Sequence, residues 1–240
     1  MATSSAPDVV FWFDPVCPFA WMTSRWVRMV QAQRDYRVEW RFISLRLLNA
    51  HLDYDAHFPP EYEAGHTAGL RMLRVCARVR DQHGPDAVAR LYPALSTQVF
   101  DVDPEHYDPT DVTDLVTSAL AEVGLPRELV EALDDTTLDA QIQAETDEAL
   151  ALTGKDVGTP ILHVAPPEGA AFFGPVISRL PDEQQAGELW DHVVGLVTFP
   201  GFTELKRSLR EKPQLRSFGV ADGEVGEQED WHGGSRRLKK

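Results

Sequence analysis

The chain has 240 residues, 43% of them hydrophobic, with 23 Lys plus Arg against 38 Asp plus Glu and a formal net charge of -15. That length supports one large domain, or a small one carrying an insertion, and the negative charge argues against a phosphate backbone or an anionic membrane as partner. No run of about 18 apolar residues offers a membrane span, and two cysteines do not make a disulfide-built scaffold.

The opening MATSSAPDVVFWF lacks the basic-then-apolar layout of a signal peptide, so a soluble, cytoplasmic protein with reduced thiols is expected. Val9 to Phe13 form an unbroken apolar run between Asp8 and Asp14, which suits a short strand covered on both faces, as in a parallel sheet. From Pro18 the pattern changes to helical spacing through Phe19, Met22, Trp26, Met29 and Val30. Pro18 fits the first helical position, where its missing N–H costs nothing, and a helix to about Gln33 is expected. Val38, Trp40 and Phe42 then alternate with Glu39 and Arg41, a second strand. The three elements make a βαβ unit with Cys17 at the carboxyl end of its first strand, the edge where open α/β sheets bind ligands.

Helical periodicity follows at about Glu63 to His83, Asp86 to Val99, Thr110 to Val123, Arg127 to Leu133 and Thr136 to Thr153, a helical block set between strands. Strands are expected again at Ile161 to Val164 and Ala171 to Phe173, with PPEG as the hairpin turn. A last pair of helices is expected at about Asp182 to Val197 and Phe202 to Leu209. After Phe218 the chain is poor in apolar residues and rich in Gly and charge, a mobile tail over 219–240.

The stretch FDPVCPFAWMTSRW carries the chemistry. A thiol at a helix start meets unpaired backbone N–H groups and the positive end of the helix dipole, which favour thiolate and make Cys17 a candidate nucleophile. Asp14 opposes this by like-charge repulsion, and a strand-end cysteine also serves as a small buried hydrophobe. In GKDVGTPILHV, Thr159 and Pro160 immediately precede a strand, where proline removes a donor from the strand entrance.

The strand, the Cys-Pro-x-x turn, the βαβ unit, the helical block and the later Thr-Pro, strand, hairpin and helix together resemble the thioredoxin fold in its DsbA-like form, over residues 8 to about 210. FWFDPVCPFAWMTSRW, GTPILHV, AFFGPVIS and PGFTELKRS resemble the mycothiol-dependent nitroreductase branch of that family. The resemblance implies an α/β thioredoxin-like domain from 1–45 and 155–210, interrupted by an all-helical insertion at 46–154. It implies Cys17 as the attacking thiol, Pro18 and Phe19 as the dipeptide inside the motif, and Pro160 as a cis proline that, with Thr159, faces Cys17. Trp21 completes the motif, and Trp12, Asp14, Asn49 and Tyr62 are implied cleft residues. Mycothiol is the implied co-substrate, a small electrophile or a disulfide the second partner.

The sequence departs from the dithiol pattern at Ala20, where a second cysteine would stand, so any redox cycle here is monothiol. The thiolate attacks a disulfide, and a second small thiol resolves the mixed disulfide. Cys76 lies on an apolar helical stripe with Leu73 and Val79 and is expected to be core packing. A second reading resembles kappa-class glutathione transferases and hydroxychromene-carboxylate isomerases, where the residue at the Cys17 position only hydrogen-bonds a cofactor thiol. A third is a thioredoxin-fold binding module without catalysis.

Other stretches read as structural. His51, Asp53, Asp55, His57, Glu61, Glu63 and His66 lack a helical ligand pair and read as a solvated acidic loop. DVDPEHYDPTD lacks the glycine and terminal glutamate of a calcium loop and reads as a linker in which Asp108 or Thr110 caps the next helix. GPDAVARLYPAL and TFPGF hold no phosphate-cradling glycine pattern, and the final RRLKK reads as a solvated tail. No metal and no nucleotide are expected, and the oligomeric state stays open.

Overall fold

The computed structural model describes residues 6–58, 61–154, 157–207 and 209–230. Strand β1 (Val9–Phe13) is buried at all five positions and leads through a turn into helix α1 (Pro18–Arg34). Pro18 stands in the first turn of α1, as its fixed φ suits, and Asp35 in the left-handed region closes the helix by donating its N–H to Gln31 O. Strand β2 (Val38–Phe42) then pairs parallel with β1 from Val9↔Val38 to Phe13↔Phe42.

Between β2 and the next strand lie the short helices α2 (Leu45–Leu48) and α3 (Tyr54–His57), then α4 (Glu61–His83), α5 (Pro85–Phe100), α6 (Thr113–Glu122) and α7 (Asp139–Thr153). The segments Arg127–Asp134 and Thr136–Leu138 are 3-10 turns where α-helix was expected. α2 and α3 fall in stretches too short for a 3.6-residue pattern to show. Pro93 inside α5 has no N–H for the carbonyl of Ala89, and Arg28 of α1 donates to that carbonyl at 2.8 Å instead. Arg74 grips Asp139 with two bonds of 2.6 and 2.9 Å, and Arg71, Arg78 and Arg80 pair with Asp134, Asp135 and Glu145, so α4 is tied to α7 and the 3-10 turns before it.

β3 (Ile161–Val164) and β4 (Ala170–Phe173) form the expected hairpin, and the sheet order is β2-β1-β3-β4. β3 runs antiparallel to β1, so the sheet is mixed; continuous burial of β1 marks coverage on two faces, not strand direction. Helix α8 (Glu183–Val197) packs back on α1, where Trp26 Nε1 donates to Ala186 O at 3.0 Å. One apolar core runs from the sheet through α1 and into α4, α5, α6 and α8, with Trp26, Met22, Leu73, Leu91 and Leu95 among its fully buried members. Each such side chain contributes about 1.5–3 kcal/mol on leaving water.

Two expectations fail beyond α8. No helix forms over residues 202–207: Phe202 and Leu205 keep helical spacing, but Leu205 is 76% exposed and finds no surface to bury the stripe against. The segment expected to be a mobile tail begins instead as folded chain. β5 (Leu209–Glu211) and β6 (Gln228–Asp230) form an antiparallel pair, Leu215 and Val220 are buried, and Gln214 N donates to Ser178 O at 2.8 Å. Residues 231–240, including RRLKK, lie outside the described residues. Among the described residues no helix is long and apolar enough to cross a membrane.

Candidate functional site

The turn from Asp14 to Cys17 is wound tightly. Cys17 N donates to Asp14 O at 3.0 Å, and Val16 N donates to the Asp14 carboxylate at 3.0 Å. Cys17 has extended geometry, φ -90 and ψ 111, and is the N-cap of α1; its sulfur accepts from Ala20 N at 3.4 Å. It does the work of a capping serine, satisfying one of the orphan donors of the first turn. Across the site the Cys17 thiol donates to Thr159 O at 3.3 Å, and Thr159 Oγ1 donates to Trp12 O at 3.1 Å. The Thr159–Pro160 bond is cis, as are Pro166–Pro167 and Gly174–Pro175. The sequence-expected pairing of Cys17 with the Thr159–Pro160 segment is therefore present, 142 residues apart in the chain.

The expected exposed thiolate is not. Cys17 is 5% exposed, and burial pushes its thiol up to about 12. The backbone N–H of Ala20 lowers it, the Asp14 carboxylate raises it further, and the N–H of Phe19 lowers it slightly. Taking a sulfur anion out of water outweighs what two backbone dipoles return. At neutral pH the group is a protonated thiol that spends its one hydrogen on a carbonyl.

Asp14 is the second unusual group. It is fully buried, its two oxygens accept from Val16 N and from Leu45 N at 2.8 Å, and burial lifts its carboxyl to about 7 against the pull of those donors. Gly69 of α4 makes room for it: a Cβ at Gly69 would stand 2.5 Å from Asp14 Oδ1 and 2.6 Å from Val16 Cγ2. Neither Leu45 nor Gly69 was among the expected site residues. Gly69 in the helical stretch AGHTAGL was the available signal, since a glycine inside a helix often has a packing reason, but the sequence did not tell it from Gly65 on the same helix, where a Cβ would meet nothing within 4 Å.

The other expected residues divide. Ala20 is fully buried, and Phe19 half-buried. Trp21, one turn after Cys17, is buried with its ring edge-on to Tyr92 at 6.0 Å and the Arg25 guanidinium 5.5 Å from its centroid. Asn49 donates to Leu45 O at 2.8 Å, so it hangs on the same residue whose N–H holds Asp14. Tyr62 is 41% exposed in an aromatic group with Phe58 and His66, one turn before His66 and two before Gly69 on α4. Trp12 does not line this side. Phe11 and Phe13 face α1, whereas the Trp12 indole alternates to the opposite face of the sheet, among Val10, Ile43, Ala149 and Ile161, and only its carbonyl reaches the site.

Cys76 is fully buried in the middle of α4, as expected for core packing. His66 is buried too, bonded to Tyr54 OH at 3.0 Å, and burial lowers it to about 4, so it belongs to a packed cluster and not to a solvated loop. In the linker, Asp108 accepts from Thr110 and Asp111 from Thr113, but the N-cap of α6 is Val112, without a side-chain bond. Among the described residues only Asp103, Glu105 and His106 group ligand atoms within 4.8 Å, all of them exposed. A hollow of about 380 Å³ lined by Arg78, Glu128, Leu129 and Asp135 lies on the helical segment and brings no thiol together with an acid or a base.

Comparison with known proteins gives the family and the fold. The sequence model of the Rv2466c-like family, described as mycothiol-dependent nitroreductase Rv2466c, matches residues 16–207. The uncharacterized protein Rv2286c of Mycobacterium tuberculosis (strain ATCC 25618 / H37Rv) is 32% identical over 200 residues, covering 83% of this chain and 81% of that protein. The probable DsbA oxidoreductase SCO1869 from Streptomyces coelicolor superposes with a TM-score of 0.51 at 16% identity, over 92% of this chain and 99% of its own. A 2-hydroxychromene-2-carboxylate isomerase superposes with a TM-score of 0.50 at 14% identity, over 77% of this chain and 93% of its own. The fold is DsbA-like and thioredoxin-like.

Proposed function

The chain belongs to the Rv2466c-like family of mycothiol-dependent nitroreductases, and from that premise we propose that it is a cytoplasmic thiol oxidoreductase in which Cys17 exchanges a mixed disulfide with mycothiol. The observation that carries this reading is the meeting of the Cys17 sulfur with Thr159 O, at the start of α1 and beside the cis Thr159–Pro160 bond. Ala20 supplies no resolving thiol, so both thiols that act on the Cys17 disulfide come from solution. Cys17 loses its proton and attacks oxidised mycothiol, forming the protein–mycothiol disulfide and releasing one mycothiol thiolate. A second reduced mycothiol attacks that bond, regenerating Cys17 and oxidised mycothiol. A nitro compound or other small electrophile would take two electrons and two protons as the Cys17 thiol and one reduced mycothiol join in that mixed disulfide, and the second mycothiol would then free Cys17 and leave as oxidised mycothiol.

The closed, protonated thiol sets a condition. The incoming disulfide must displace the S–H to Thr159 O bond, which frees that carbonyl to accept from the ligand as a strand would. The test is intact-mass measurement after incubation with oxidised mycothiol. One adduct on Cys17, released by reduced mycothiol, is the expected result; an unmodified chain would end the reading.

One observation favours a second reading, a thiol-dependent transferase or isomerase. A neutral Cys17 with its thiol pushed up to about 12 is a hydrogen-bond donor, the form a residue takes when it holds a cofactor thiolate. In that case Cys17→Ser keeps activity, because a hydroxyl donates as well; in the redox reading the same variant is inactive. The third reading, a binding module, predicts neither adduct nor turnover.

A further inference from the structure

Asp14 stands at a junction of three segments. Its carboxylate accepts from Val16 N in the Cys17 turn and from Leu45 N at the start of α2, its carbonyl accepts from Cys17 N, and α4 presses Gly69 against Oδ1. Among the described residues it has no ion pair, although it is fully buried. The titratable groups that face it come from every side: Cys17 on α1, Tyr54 on α3, Cys76 on α4, Tyr92 on α5, and Tyr107 after the 3-10 turn Pro104–His106. Each of these is held toward its neutral form by the Asp14 charge, as a smaller contribution than burial. Arg46, next in sequence to the Leu45 that holds Asp14, is turned instead to Glu63 at 3.3 Å and to the Tyr54 ring at 4.7 Å.

We propose that Asp14 is a positioning residue whose single buried negative charge is exclusive with that of Cys17: while Asp14 is ionised it holds the turn closed and the sulfur protonated on Thr159 O, and its neutralisation releases the sulfur to ionise. Asp14 O holds Cys17 N, its carboxylate holds the neighbouring Val16 N, and its charge pushes the Cys17 thiol up, so a negative charge on Asp14 disfavours one on the sulfur. Asp14 lifted to about 7 agrees with a carboxylate poised to take up a proton near neutral pH. The idea deepens the proposed function, since it matters only if Cys17 reacts.

The test is the pH profile of iodoacetamide labelling at Cys17, read by peptide mass in the full chain. Asp14→Asn is expected to shift the profile to lower pH and to raise the rate at pH 8 by about three- to tenfold, a half to one pKa unit. A profile superimposed on the wild type, or moved to higher pH, overturns the proposal. If Asp14→Asn does not fold, Leu45→Pro decides. It deletes one donor to Asp14 at the first position of α2, where proline is accepted, and Ser44 at φ -100 and ψ 118 suits the residue before proline. With one donor gone Asp14 protonates more readily, so the rate below pH 8 rises; an unmoved profile overturns the proposal. A purely structural Asp14 would change the melting temperature of either variant and leave the profile in place. Labelling reads the sulfur whether or not mycothiol reacts, so absence of a mycothiol adduct and absence of a profile shift are separate failures.

Discussion

The two cysteines lie in environments that match in one respect and differ in every other. Both are buried, and burial pushes both thiols up to about 12. Cys76 sits in mid-helix, its neighbours along α4 are Leu73 and Val79, and its sulfur has no hydrogen bond among the described residues. Cys17 sits at a strand-to-helix turn, accepts from one backbone N–H, donates to a carbonyl brought from the other end of the chain, and feels a buried carboxylate. Acidity does not separate these thiols. Geometry does, because only Cys17 has polar partners that a ligand could replace one for one.

The largest expected difference is in turnover. Cys17→Ser keeps the cap and the bond to Thr159, since a hydroxyl accepts from Ala20 N and donates to the carbonyl. It should fold like the wild type and lose mycothiol-adduct formation entirely. Full activity in Cys17→Ser would put the two cysteines on the same footing and leave the transferase reading.

A second large difference concerns access. Cys17 is covered by its own turn, the Thr159 segment and the α5 contact at Pro15, whereas reaching Cys76 requires breaking α4 out of the core. Local opening costs far less than global unfolding, which is roughly 5–15 kcal/mol for a typical domain. Under native conditions Cys17 should therefore be alkylated at least about a hundredfold faster than Cys76. Equal rates, followed by peptide mass, would mean that Cys17 opens only with the whole fold.

What the sequence disclosed and what it hid follow the same division. The β1 run, Pro18 at the head of α1, the hairpin strands and the Thr159–Pro160 pair were legible because each depends on neighbours in sequence. The burial of Cys17 was not, because α5, through Ser96 Oγ to Pro15 O at 3.4 Å, and the Thr159 segment arrive from far along the chain. The helix-terminal dipole argument was sound for an exposed sulfur and failed for a buried one. The absent helix after Phe202 and the β5–β6 pair show the same thing: a local stripe forms a helix only where a surface waits to receive it.

Asp14 adds a pH effect that Cys76 cannot share. Its folded pKa of about 7 lies above the unfolded value of 3.8, so the folded chain binds more protons between the two. Its contribution to stability is complete below about pH 4, declines as pH rises toward 7 and is flat beyond. At 1.4 kcal/mol per unit the decline is about 4 kcal/mol at most. Asp108, Asp111, Asp135 and Asp191 are held below their ordinary range by hydrogen bonds and act in the opposite sense at lower pH. The Asp14 part is isolated as the difference between wild type and Asp14→Asn in urea unfolding from pH 4 to 8. A difference that does not change over that range would show that Asp14 is not lifted. Gly69→Ala strains the same contact from the other side; overpacking of this kind costs about 1–3 kcal/mol, and the strain should appear as faster labelling of Cys17.

The smallest expected effect is at Cys76, and it completes the contrast. Cys76→Ala removes one buried sulfur that has no polar partner, so the loss is the transfer of that group plus a small cavity, about 1–2 kcal/mol. Because α4 also carries Gly69 two turns away, a slight relaxation of the helix could reach Asp14, but the four arginine pairs along α4 hold it to α7 and the 3-10 turns before it. The variant should therefore melt a few degrees lower while forming the Cys17–mycothiol adduct, and resolving it, at the wild-type rate. A slower release of the adduct in Cys76→Ala, with the fold intact, would show the second cysteine acting on the first, and the site would be a dithiol whose members lie on different helices.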